Sequence, residues 1–256
     1  MSCNKPLPAF ESMPFKNLTI RYQTARSLPA PYAHFYTLSA RTAFNEYLQV
    51  DFSITYLDRE SVDEDELIAE GYTPNDDFSW SGRLGTTWQQ AVANLADQTA
   101  LDPLVEDQLG EDEDFFEMKL ETEAGIESGT PRNGDDWTYL AQELIQAAYE
   151  AGGREQAFEL TFLDASREAD TELFMRASFV ERNVKIDLAQ NRRRTSKTLP
   201  WSELQRIMGT VYKADYEAHE PLTQRPKRNG QWLNLGGEEW YDVSDETTIV
   251  DLFRKL

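Results

Sequence analysis

Apolar residues recur at every second position from Leu48 through Val50, Phe52 and Ile54 to Tyr56, with Gln49, Asp51, Ser53 and Thr55 between them. Period two predicts a strand, and the polar alternate positions predict that one face of its sheet meets water. Shorter alternations predict further strands at Leu18, Ile20 and Tyr22, and at Phe116, Met118 and Leu120. Others follow at Phe158, Leu160 and Phe162, at Leu173, Met175, Ala177 and Phe179, and at Val184, Ile186 and Leu188. The short connections among these last three predict an antiparallel meander. A Trp-bearing hairpin over 231–243 is expected to turn at Gly236-Gly237.

Elsewhere the period changes to that of a helix. Trp88, Ala91, Val92 and Leu95 share one helical face, as do Trp137, Leu140, Ala141, Leu144, Ile145 and Ala148. Leu204, Ile207, Met208, Val211 and Tyr212 form another such face, and Ile249, Leu252, Phe253 and Leu256 a closing one. Ser61 with Glu64 has capping-box spacing and Gly71 supplies a stop, which predicts a short helix over 62–70. Asp102-Pro103 predicts the start of another. The stretch 72–85, rich in Asp, Ser and Gly, reads as a loop.

These elements define an α+β protein, with antiparallel sheet packed by amphipathic helices. The expected organisation is a loose N-terminal arm over 1–16, an α+β lobe over 17–122, a polar linker over 123–136 and a second α+β lobe over 137–256. The lobes form either one domain or two related halves. FSITYLDRE (52–60) resembles FELTFLDASRE (158–168), and Trp-Ser followed by an amphipathic helix comes after each. That reads either as a degenerate duplication or as two alternating strands alike by chance.

Composition narrows the class. At 256 residues about three-quarters of the unfolded surface can be buried, ample for a core. Aromatics at 12%, with six Trp, argue against a chain that stays disordered. The single Cys3 excludes an internal disulfide and a Cys-based zinc site. His34 and His219, the two histidines, have no partner at helical spacing for an HExxH zinc helix. No apolar run approaches the roughly 18 residues of a membrane span, and the N-terminal residues lack the apolar core of a secretory signal. The expected location is the cytoplasm, with no membrane contact.

Charge separates the candidate roles further. The chain carries 46 acids against 25 bases, a net charge of -21. The acid gathers in two runs, over 58–77 with Asp63, Glu64, Asp65 and Glu66, and over 102–127 with Glu111, Asp112, Glu113 and Asp114. Such a charge repels the nucleic-acid backbone, so direct nucleic-acid binding is not expected. The runs serve as a solvated, solubilising face or as a docking surface for a basic protein. Base gathers at Arg192, Arg193, Arg194 and Lys197, which reads as a hairpin end or a weak phosphate site.

Chemistry-bearing motifs are sparse. The turn around Arg83, Gly85, Thr86 and Thr87 precedes a helix, where backbone N–H groups and a guanidinium could hold an anion. Its glycine spacing is not that of a P-loop. No G-x-S-x-G elbow accompanies His34 or His219, and both read as structural or surface residues. No catalytic residue, metal ligand or cofactor is assigned. The expectation is a non-enzymatic, acidic protein-interaction module. Its rivals are a small-ligand enzyme using carboxylates or the 81–87 turn, and a nucleic-acid mimic.

Overall fold

The computed structural model describes residues 15–256 apart from 167–169, 192, 215 and 217–219. Of the predicted loose arm over 1–16, residues 1–14, with Cys3, lie outside the described residues, as do Arg192 and His219. Phe15 and Lys16 do not belong to an arm, since Phe15 is fully buried and the Lys16 N–H donates to the Glu121 carbonyl at 2.7 Å. The chain divides into two compact units, Met1–Gly152 and Gly153–Leu256. Each holds an antiparallel sheet, and the protein is mixed α+β.

In the first unit β1 (Asn17–Gln23), β2 (His34–Thr42), β3 (Leu48–Tyr56) and β4 (Phe78–Leu84) form a meander. The helices α1 (Glu64–Ala69) and α2 (Thr86–Asp97), the two-residue β5 (Leu101–Asp102), the hairpin β6 (Phe115–Thr122) and β7 (Gly125–Pro131), and α3 (Gly134–Ala151) complete it. The sheet order is β4-β3-β2-β1-β6-β7-β5. The first strand is therefore interior, because β6 returns to pair along its free edge over the whole of its length.

Alternation fixes which face is buried. Leu18 and Ile20, Leu38 and Ala40, and Leu48, Val50, Phe52 and Ile54 point to the buried side, and Asp51 and Ser53 to solvent. The same buried side meets helix side chains, since Tyr149 of α3 lies 5.0 Å from Phe78 and 6.1 Å from Phe52 between ring centres. Trp88 and Trp137 are fully buried, and the Trp137 indole N–H donates to the Thr99 hydroxyl at 2.8 Å. Each such burial contributes about 1.5–3 kcal/mol.

The second unit comprises β8 (Phe158–Ala165), β9 (Thr171–Ser178), β10 (Asn183–Gln190), β11 (Arg193–Pro200), α4 (Ser202–Val211), β12 (Gly230–Asn234), β13 (Trp240–Asp242) and α5 (Thr247–Lys255). Its sheet runs β11-β10-β9-β8-β12-β13. Leu160, Phe162, Met175 and Ile186 share one core with Leu204 and Ile207 of α4 and Ile249 and Phe253 of α5. Phe162 and Phe253 stack at 5.0 Å.

The two units share one strand plan. In each, a four-strand meander leads into a helix, a later strand pairs with the first strand of the meander, its hairpin partner extends the sheet, and a helix follows. The resemblance between 52–60 and 158–168 does not follow that plan. The first segment is β3, third in its meander, whereas the second is β8, first in its own.

Several expectations are corrected. The presumed linker 123–136 contains β7, paired with β6, and the first turn of α3. Gly129 sits where β5 crosses β7, and a Cβ there would lie 2.1 Å from the Asp102 carbonyl oxygen. The glycine serves close approach and not looseness. The presumed loop 72–85 contains β4. Asp102-Pro103 opens no helix, since Asp102 belongs to β5. The cap of α1 is Asp63, whose carboxylate accepts from the Asp65 N–H at 3.0 Å, while the Ser61 hydroxyl donates to the Asp58 carbonyl.

Gly209 lies inside α4, and a Cβ there would meet nothing within 4 Å. Gly209→Ala is therefore expected to stabilise the second unit by about 1 kcal/mol, the propensity difference inside a helix. A urea series that moves the midpoint down would contradict this.

Candidate functional site

Antiparallel pairing brings five strand ends to one rim of the first sheet. Gln23 pairs with both Phe35 and Phe115, His34 with Tyr56, and Ile54 with Phe78. The three connections at that rim are 24–33, 57–77 and 103–114. The second is the first acid run and the third holds the Glu111–Asp114 part of the other, so the topology puts these at one end, while Glu117, Glu121, Glu123 and Glu127 of that run lie on the β6–β7 hairpin. Nine acids lie between 57 and 77 and six between 103 and 114, with only Arg26 and Arg59 as bases on the three connections. Asp63, Glu64, Asp65 and Glu66 are all exposed, as are Glu111, Asp112, Glu113 and Asp114.

The two runs are held differently. Glu64, Asp65 and Glu66 occupy the first turn of α1, where the helix dipole tolerates acid. In the other run Asp114 is an anchor. It accepts from the Tyr22 hydroxyl at 2.6 Å and from the Ala25 N–H at 2.7 Å. Glu113 accepts from the Gly110 N–H at 2.9 Å. The connection 24–33 bridges the runs. On one side the Ser27 N–H donates to the Glu111 carbonyl and the Arg26 guanidinium to the Leu109 carbonyl. On the other the Tyr32 hydroxyl donates to Glu70 at 2.8 Å.

Arg59 locks the longer run from beneath. It is 3% exposed. It donates to the Pro31 and Thr73 carbonyls, at 3.3 and 2.7 Å, and pairs with the Asp76 carboxylate. Its guanidinium carbon lies 3.9 Å from the centre of the Tyr56 ring and 5.0 Å from that of Tyr72. Among the described residues Nη2 has no hydrogen-bond partner, and the guanidinium lies against the two ring faces instead. At Asp76 burial favours the neutral acid, yet the Thr73 N–H and hydroxyl and the Arg59 charge outweigh it and pull the carboxyl down to about 2.

Aromatic rings floor the rim. Tyr22 lies 6.2 Å from Phe116 and 5.9 Å from His34, and His34 lies 5.8 Å from Tyr56. His34 Nδ1 sits 2.8 Å from the Tyr32 carbonyl, which can only accept, so the proton is on Nδ1. Burial, then the Asp114 contact, pushes the Tyr22 hydroxyl well above its ordinary pKa. Leu28, Tyr32, Phe35, Ile68 and Val105 are exposed on or next to the same three connections. They are half of the ten large apolar side chains exposed among the described residues.

The other predicted residues lie at the opposite end of this sheet. Arg83 pairs across from Gln49 on the wet face and is exposed. Gly85 begins α2 with no side-chain cap, its carbonyl accepting from the Trp88 and Gln89 N–H groups, and Thr86 and Thr87 are exposed. The structure thus puts the eight acids on two connections of one rim and the 81–87 turn at the other end of the sheet. A shallow trough of about 360 Å³ on the wet face is lined by Thr37, Ser39, Asp51, Ser53, Ser79 and Ser81, none of them a cation. Among the described residues no three His, Cys, Asp or Glu side chains gather in a way that could hold a metal ion.

Sequence reasoning missed Arg59 and the ring row. Arg59 had a signal, as the one base in a run of nine acids. The row had none, because its members meet only through strand register. No family model, curated protein or solved structure matches the chain. No helix among the described residues is long and apolar enough to cross a membrane.

Proposed function

We propose that this is a non-enzymatic interaction protein of the cytoplasm, which docks a basic protein on the acid rim of its first unit. The observation that carries the reading is the convergence of the two acid runs, 58 residues into the chain and again past 102, on one rim studded with exposed apolar side chains. Acid steers and selects a basic partner, while Leu28, Tyr32 and Ile68 supply the apolar anchors that charge alone lacks. The bridging hydrogen bonds and buried Arg59 hold the surface in shape before binding, which reduces the ordering cost. The shared strand plan supports reading the units as related lobes, of which the first carries the acid.

The test is affinity capture followed by measurement on the purified partner. Two variants neutralise exposed acids whose carboxylates make no hydrogen bond or ion pair among the described residues. One carries Glu64→Gln, Asp65→Asn and Glu66→Gln, the other Glu111→Gln and Asp112→Asn. Each is expected to weaken binding of a basic protein on the order of tenfold at 50 mM salt, and less at 300 mM, where the Debye length is shorter. A partner that binds both variants as tightly as the unaltered protein overturns the reading. A small anion that raises the melting temperature, but not in Arg83→Ala, would instead favour the ligand-binding enzyme.

A further inference from the structure

The second unit ends its sheet on a strand unlike the others. Among the described residues β11 pairs only with β10, which leaves its other edge open over eight residues. All of it is exposed except Leu199, which is half-buried. A strand of that length presents about 26 Å of backbone N–H and C=O groups to a newcomer. It carries Arg193, Arg194 and Lys197, and among the described residues none of these has an acidic partner. In a chain of net charge -21, three bases on one open edge with no acidic partner among the described residues point to an occupant.

We propose that β11 receives an extended acidic segment of a partner protein, which adds to the sheet as a seventh strand. Backbone hydrogen bonds supply the affinity and the cross-strand charge pairs the selectivity. The edge itself chooses among occupants. Basic side chains on an edge strand repel a second copy of the same edge, which is how such edges avoid aggregation. That repulsion excludes pairing of β11 with β11 and favours acid. The chain's own acid rim is built of loops and α1, not of extended strand, so it does not supply the segment. Nucleic acid is disfavoured, since a long polyanion meets the whole field of the molecule. A short peptide meets only charges within a Debye length of about 8 Å.

The register sets the pattern. On the existing strand, Arg193 and Lys197 point to the side of Leu188 and Ile186, and Arg194 to the other. An antiparallel newcomer that answers all three carries acids at its first, fourth and fifth matching positions. This site is separate from the acid rim and stands or falls without it.

The probe is a fluorescent eight-residue peptide of Thr and Val with Glu at those three positions, titrated against the full chain. Binding is expected, with a loss on the order of tenfold in the Arg193→Ser, Arg194→Ser, Lys197→Ser variant, three charge pairs being removed. The same peptide N-methylated at alternate residues, in both phases, tests the backbone. One phase should lose binding and the other keep it. Equal binding of both methylated peptides, no binding of the parent, or tighter binding of a single-stranded oligonucleotide overturns the proposal. The acid-rim variants above should leave this binding unchanged.

Discussion

Arg59→Ala is expected to lower the stability of the first unit by about 3 kcal/mol, the range found when one partner of a buried ion pair is removed. The substitution strips the Pro31 and Thr73 carbonyls of the Arg59 donor, removes the Arg59 charge from beside Asp76, and empties the space between the Tyr56 and Tyr72 rings. Arg59→Lys keeps the charge but not the planar fork, and should recover only part of the loss. The measurement is amide exchange along the β2, β3 and β4 ladder, because a global melt would mix the two units. Protection that survives Arg59→Ala would show that the network is ornamental. A pH titration supplies an independent arm. Asp76 has its carboxyl depressed in the folded state, so its contribution of about 2 kcal/mol is present above the unfolded pKa near 4 and is lost as pH falls toward 2. That slope should flatten in Arg59→Ala.

Gly129→Ala should cost about 2 kcal/mol, from overpacking against rigid backbone. The new methyl would meet the Asp102 carbonyl oxygen at 2.1 Å and the Leu101 side chain at 3.4 Å. No rotamer change relieves the first contact, so β5 must lift from β7. The Arg132–Asp102 pair, at 2.8 Å and largely exposed, is too weak to hold it. At about 2–4 °C per kcal/mol, the melting temperature of the first unit, followed through its own amides, should fall by roughly 4–8 °C. Gly134→Ala, where a Cβ meets nothing within 4 Å, is the control and should change little. Equal melting of the two variants would refute the close-approach account of Gly129.

Legibility in the sequence followed burial. β3 was readable because Leu48, Val50, Phe52 and Ile54 are buried while its wet face is polar. β4 has the same alternation, Phe78, Trp80, Gly82 and Leu84, but a glycine stands at an inward position. The Trp80 ring lies over that glycine and fills the gap, a substitution of one residue's side chain for another's that no period reveals. β2 was hidden because Phe35 is exposed on its wet face, so both faces read as aromatic. β11 has no buried residue and therefore no pattern at all. The acid runs were plain in the sequence, and their meeting was not. It depends on register across β1, β2, β3 and β6, and so on pairings between residues as distant as Gln23 and Phe115.

That same pairing has a consequence for how the protein is made. Within the first unit β1 is made before the other described strands, yet it becomes an inner strand of its sheet, and one of its two neighbours is synthesised about ninety residues later. The early meander can zip through local contacts, but until β6 arrives it exposes a complete row of unpaired backbone along β1. In the second unit the matching gap, from Ala165 to Gly230, is 65 residues. Folding of the first unit during synthesis therefore waits on a longer stretch of unfinished chain. In that interval the unfinished edge is open to wrong partners, while the acid run that follows β3 is already out and repels like copies.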